Sequence, residues 1–182
     1  MERAAGTGED VRLRAFAAGD EAAFEALFRE YQRDVYGWIV RLVRDPSAAE
    51  DLTIETFWRI HRSRARFDPS RSFGAWARRV AVNAALDHLQ RAGRDRARLA
   101  PIEDAGVAAA SDPDRDARRS IVRAFVQLPA TLRVTAQLAL VDERPYQEIA
   151  ELLGVSLGAV KSRVFRATRL LRRELAEWRH VR

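Results

Sequence analysis

The chain contains no cysteine, which excludes a disulfide framework and any thiolate metal site. Its three histidines, His61, His88 and His180, are scattered without metal-ligand spacing, and no glycine-rich phosphate loop is present. An enzyme reading therefore lacks its usual parts, and neither a cofactor nor a metal is expected. No apolar run approaches the roughly 18 residues of a membrane span, so direct membrane insertion is not expected. The opening MERAAGTGED lacks the apolar core of a signal peptide, and the expected location is cytoplasmic.

What the chain does have is charge, unevenly placed. The formal net charge is +6 over 182 residues. Residues 8 to 57 hold 6 Arg against 11 Asp and Glu, a net of −5, whereas residues 58 to 100 hold 11 Arg against 3 Asp, a net of +8. Residues 159 to 182 hold 8 basic and 2 acidic side chains, a net of +6. Two basic blocks suggest two surfaces that face a polyanion, and the acidic segment suggests a third surface for a different partner. Ordinary solvated helix surface is the alternative that charge alone leaves open.

Apolar residues recur at three and four, with no strand alternation. Residues 10–93 read as a compact helical bundle, 94–112 as a linker, and 113–182 as a second helical domain, an all-α architecture of two small domains on a flexible tether. In the first, Phe24, Leu27, Phe28, Tyr31, Val35, Trp38, Ile39 and Leu42 form a stripe on a helix from Ala22 to Val43. Asp45-Pro46 closes it, and Ser47 is the expected cap of a helix from Ala48 to about Arg64, with Glu50 at capping-box spacing. Asp51 and Glu55, four apart, share one face of that helix. Such a face can dock a basic partner, though exposed carboxylates on a helix are more often plain solvated surface. RFDPSRS (66–72) carries a turn signal bounded by arginines and precedes a helix from Phe73 to about Arg91. Along that helix Trp76, Arg78, Arg79 and Asn83, with Asp87 one turn later, interleave aromatic, guanidinium and amide groups as single-stranded DNA requires. Core packing explains Trp76 equally well.

In the second domain Pro113 opens a helix, Leu128-Pro129 breaks it, and a further helix runs from Ala130 to Val141. Pro145 to Arg173 reads as a helix-turn-helix. Tyr146, Ile149, Ala150 and Leu153 line the first helix, Gly154 ends it, Val155 tucks under the turn, and Ser156 can cap the second. At 100° per residue, Val164, Ala167 and Leu171 fall within about 40° of Val160 and form a stripe to bury. Lys161, Ser162, Phe165, Arg166, Arg169, Arg172 and Arg173 occupy the opposite arc, as a recognition helix in a major groove requires.

Three stretches in order, AEDLTIETFWRI (49–60), FDPSRSFGAWARRVAVNAALDHLQRAGR (67–94), and LP (128–129) followed by PYQEIAELLGVSLGAVKSRVFRATRLLRREL (145–175), resemble the extracytoplasmic-function group of bacterial RNA polymerase sigma factors. The resemblance covers nearly all of Phe24 to Leu175. It implies a protein that binds core RNA polymerase and directs it to promoter DNA, the first domain at the minus-ten element and the second at the minus-thirty-five. By that resemblance Asp51, Leu52 and Glu55 dock on the polymerase. The loop of Phe67, Asp68, Ser70, Arg71 and Ser72 resembles the family's base-capturing loop, with Asn83 and Asp87 of the adjoining helix at the family's matching positions, and the residue pattern adds Arg78 and Arg79 to the expected minus-ten surface. Ser156, Lys161, Ser162, Phe165, Arg166 and Arg169 meet the minus-thirty-five duplex. The family usually has Gln where this chain has Ile54, and commonly has Gly-Thr where it has Gly158-Ala159. The family is usually held inactive by an anti-sigma factor, which is an expected partner. A stand-alone helix-turn-helix repressor or activator is the rival reading, but it leaves the acidic helix and the arginine-rich loop without a task.

Overall fold

The structure, a computed structural model, describes residues 4–98 and 113–180, with side-chain surroundings for 8–95 and 117–176. Among the described residues it is helical, with no strand. Contacts divide the chain into two units, Met1–Ala85 and Leu86–Arg182, a division inside one helix and ahead of the boundary expected at 93.

The first unit begins with helix α1 (Ala4–Ala18), which the sequence did not announce. Gly19, at φ +96°, ends it, and the Asp20 side chain accepts the Ala23 N–H at 2.7 Å to start α2 (Glu21–Val43). Arg44 closes α2 in the left-handed region at φ 59°, its N–H donating to Val40. Helix α3 (Pro46–Ser63) is capped by Asp45, whose carboxylate accepts the Ala48 N–H at 3.1 Å. The cap is not Ser47, because Pro46 has a fixed φ and no N–H to lose, and it takes the first helical position. A 3-10 turn, Arg64–Arg66, leads to the loop before α4 (Phe73–Arg98). This helix runs past Arg91 to Arg98, so residues 94–98 of the expected linker are helical; the remainder, 99–112, lies outside the described residues.

Four aromatic rings hold this unit together. Phe16 is fully buried, and its ring lies 5.8 Å from Phe67, 5.5 Å from Phe73 and 6.1 Å from Trp76. Phe67 and Trp76 approach to 4.9 Å. The cluster joins α1, the loop and α4 at one point, and Tyr31 of α2 reaches it through Phe73 at 5.0 Å. Gly74 sits where a Cβ would lie 3.0 Å from the Tyr31 ring, so a larger residue there requires that ring to give way by a few tenths of an ångström.

The second unit holds α5 (Pro113–Gln127), α6 (Ala130–Ala136), α7 (Tyr146–Leu153) and α8 (Leu157–His180). The helix expected over 130–141 changes after Ala136 into a π-helical turn, Gln137–Val141, closed by the Asp142 N–H on the Gln137 carbonyl. The core gathers Ala124, Phe125 and Leu128 with Leu132, Ala136, Ala167 and Leu171. Ile121 and Val122 of α5 lie outside that core, 45% and 39% exposed.

Phe16→Ala empties the centre of the ring cluster, and a cost of about 3–5 kcal/mol follows for such a substitution. Urea denaturation of the first unit, followed by tryptophan fluorescence, checks this. A loss under about 1 kcal/mol contradicts the assigned role of the cluster.

Candidate nucleic-acid interface

Within the second unit the turn between α7 and α8 is built as the sequence reading requires. Gly154 is left-handed at φ 64° and donates its N–H to Ala150 and Glu151, while Val155 N–H reaches the Ala150 carbonyl at 3.0 Å. These bonds satisfy the last carbonyls of α7 and reverse the chain sharply. Ser156 Oγ then accepts the Ala159 N–H at 3.2 Å, capping α8. Its hydroxyl is thus engaged in the cap, a task beside the DNA contact expected of it. Tyr146, expected on the apolar face of α7, is exposed.

The two arcs of α8 are fully separated. Val160, Val164, Ala167 and Leu171 are buried, while Lys161, Ser162, Arg166, Arg169, Arg172 and Arg173 are exposed. Phe165 stands 69% exposed among them. An aromatic ring in water beside cations gains nothing from the fold, so its position suits an external apolar group such as a thymine methyl. Arg166 donates from Nε to the Ser162 carbonyl at 3.4 Å, which lays its guanidinium along the outer face.

In the first unit the loop is held at both ends. Phe67 was expected to face DNA, but it is 6% exposed and packs in the ring cluster; Phe73, at 1%, anchors the other end. Asp68, Ser70, Arg71 and Ser72 remain exposed between them. Asp68 Oδ1 accepts the Ser70 hydroxyl at 2.7 Å and the Ser70 N–H at 3.0 Å, and Oδ2 lies 3.4 Å from Arg71 Nε. The bonds from Ser70, the hydroxyl first and then the N–H, hold the Asp68 carboxyl below its ordinary value of 3.8, and Arg71 adds attraction. Ser72 Oγ accepts the Ala75 N–H at 3.3 Å and starts α4.

On α4, Arg79 is exposed and Asn83 half-buried, whereas Arg78 lies half-buried with its guanidinium 5.4 Å from the centre of the Trp38 ring. That stacking fixes Arg78 against the protein and leaves Arg79 the more accessible cation. Asp87 is exposed.

The polymerase-docking residues also divide. Asp51 is exposed, and Glu55 is half-exposed and paired with Arg59 at 2.6 Å. Leu52 is 3% exposed and belongs to the bundle core, because adjacent residues on a helix point about 100° apart. The outward face instead carries Ile54 and Trp58, each 62% exposed. They border a groove of about 320 Å³ lined by Glu21, Phe24, Phe28, Ile54, Phe57, Trp58 and His61. Trp58 was missed, although its spacing of four from Ile54 and three from Glu55 placed it on that face.

An all-helical chain with a basic recognition helix and an arginine-bearing loop defines a helix-turn-helix DNA-binding protein. Comparison with known proteins narrows the class. Two family profiles match it, Sigma-70 region 2 over residues 27–95 and Sigma-70 region 4 over residues 118–171. RNA polymerase sigma factor CarQ of Myxococcus xanthus is 36% identical over 168 residues, covering 91% of this chain and 96% of CarQ. The ECF RNA polymerase sigma factor SigE of Mycolicibacterium smegmatis is 36% identical over 171 residues, covering 88% of this chain and 66% of SigE. The sigma factor RpoE from Bartonella quintana, solved in complex with the anti-sigma factor NepR, shares the fold at a TM-score of 0.58 and 22% identity, covering 84% of this chain and 96% of that one. The chain belongs to the extracytoplasmic-function group of the sigma-70 family. It is a sigma factor, which directs core RNA polymerase to promoter-specific initiation.

The Asp68 carboxyl titrates lower in the folded chain than in the unfolded one, so its hold on the turn is fully present above about pH 3.8. That hold is lost as the pH falls through the depressed folded value. The Ser70 amide resonance is therefore expected to titrate with a midpoint below 3.8, a value read by nitrogen-15 NMR. A midpoint at or above 3.8 contradicts the bonding described.

Proposed function

We propose that the two units grip different parts of one promoter. The second unit lays α8 in the major groove of the minus-thirty-five element, where Lys161, Ser162, Phe165 and Arg166 meet base edges and Arg169 meets phosphate. The observation that carries this reading is the exposed ring of Phe165 flanked by exposed cations, directly opposite a fully buried stripe. In the first unit, Ser70, Arg71 and Ser72 of the loop between Phe67 and Phe73, with Arg79 and Asn83, take the unpaired minus-ten strand. Strand opening follows when capture of a flipped base and its backbone offsets the few kcal/mol lost on unstacking.

The outer face of α3, with Asp51 and Glu55 beside Ile54 and Trp58, is the proposed polymerase dock. The apolar pair supplies area and the carboxylates supply direction, which suits a partner helix with cations flanking an apolar stripe. An anti-sigma factor is a further proposed partner, supported by the complex in which the structural relative RpoE was solved. The chain acts by binding rather than by chemistry of its own. Its proposed location is the cytoplasm, where promoter and polymerase are; no helix among the described residues is long and apolar enough to cross a membrane.

With purified core polymerase the chain is expected to start transcription at one mapped promoter, and alone to bind duplex DNA weakly. Arg166→Ala should weaken promoter binding by about tenfold or more while core binding, read by pull-down, stays unchanged. Specific repression by the chain alone, without association with core, contradicts the proposal.

A further inference from the structure

We infer that Asp68 is a positioning residue, which presets the loop between Phe67 and Phe73 so that Ser70 and Arg71 meet the unpaired strand, and that it does not itself touch DNA. The inference rests on the proposed meeting of this loop with the minus-ten strand.

Both carboxylate oxygens of Asp68 are committed inside the loop. Oδ1 receives the Ser70 N–H and hydroxyl, Oδ2 faces Arg71 Nε, and the Asp68 carbonyl accepts the Arg71 N–H at 3.0 Å. An exposed carboxylate beside a polyanion is repulsive in itself. Here its charge is screened by three donors, and its geometry turns the chain within four residues. The ends of the turn cannot drift, because Phe67 and Phe73 are buried in the same ring cluster. Ser72 is not available to direct the turn either, since its hydroxyl caps α4.

Two groups are left facing outward with capacity to spare. The Ser70 hydroxyl gives its proton to Asp68 and so presents lone pairs to solvent, an acceptor for a base N–H. The Arg71 side chain is 82% exposed, with guanidinium donors for a phosphate or a base oxygen. A preset acceptor and donor a fixed distance apart discriminate between bases better than the same groups on a loose loop, because no ordering entropy is lost at capture.

The conservative variant separates this role from direct contact. Asp68→Asn keeps the Oδ1 acceptor for Ser70 and loses only an exposed ion pair, whose worth is small. The test uses the full-length chain assembled with core polymerase and single-stranded oligonucleotides spanning the mapped minus-ten element, with each base substituted in turn. Asp68→Asn is expected to bind within about twofold of the parent and to rank the bases identically. Asp68→Ala is expected to bind about tenfold more weakly with the ranking flattened, while the thermal midpoint of the free protein is unchanged. Equal changes of base ranking in both variants show a direct contact and overturn the inference, as does parent-like discrimination in Asp68→Ala. A parent holoenzyme that does not discriminate between the bases overturns the underlying reading of the loop, and so is distinguishable from failure at Asp68 alone.

Discussion

The burial of Phe16 against Phe67, Phe73 and Trp76 is the interaction on which the first unit depends. Aromatic side chains bury about 150–250 Å² each, and edge-to-face pairs add about 0.5–1.5 kcal/mol beyond that area. Here the rings do more than stabilise. They fix both ends of a five-residue excursion, 68–72, that carries exposed polar groups, so the same contacts that close the core hold the loop in place. Loops on rigid supports are where recognition residues are commonly found, and this support is a set of rings from α1, the loop itself and α4.

The second unit meets the corresponding demand differently. Its recognition helix is held from beneath by Val160, Val164, Ala167 and Leu171, and its start is fixed by the left-handed Gly154 and the Ser156 cap. Placement therefore comes from a tight turn and a continuous stripe rather than from anchored loop ends. A duplex groove accepts a preformed helix, whereas a flipped base has to be met by a positioned loop, and the two constructions suit the two targets proposed for them.

The recognition helix was legible in the sequence because two independent signals agree there, turn chemistry at Gly154 and Ser156 and a period of 3.6 in the residues after them. Helix α1 was not, since its inward face consists of Leu13 and Phe16 while Val11 is 63% exposed, too few points to show a period. The far end of α4 was read as linker because it carries arginines in place of an apolar stripe, although arginine is itself a good helix former. Phe67 and Leu52 were given partner-facing roles by the family resemblance and not by their own side chains. A residue next to an exposed one on a helix points elsewhere, and an aromatic at the edge of a polar loop is more often the nail than the tip. Trp58 was legible in principle, as an apolar residue on the face defined by Asp51 and Glu55, but it was counted with neither core nor surface.

On the proposed reading, loop anchorage is a condition for opening DNA and not for finding it. Permanganate and nuclease footprinting of the mapped promoter, with holoenzyme carrying Phe67→Ala, tests that claim most directly. Protection over the minus-thirty-five element should persist while the reactivity of unpaired minus-ten thymines falls by about tenfold or more. Undiminished thymine reactivity with the anchor removed would contradict it.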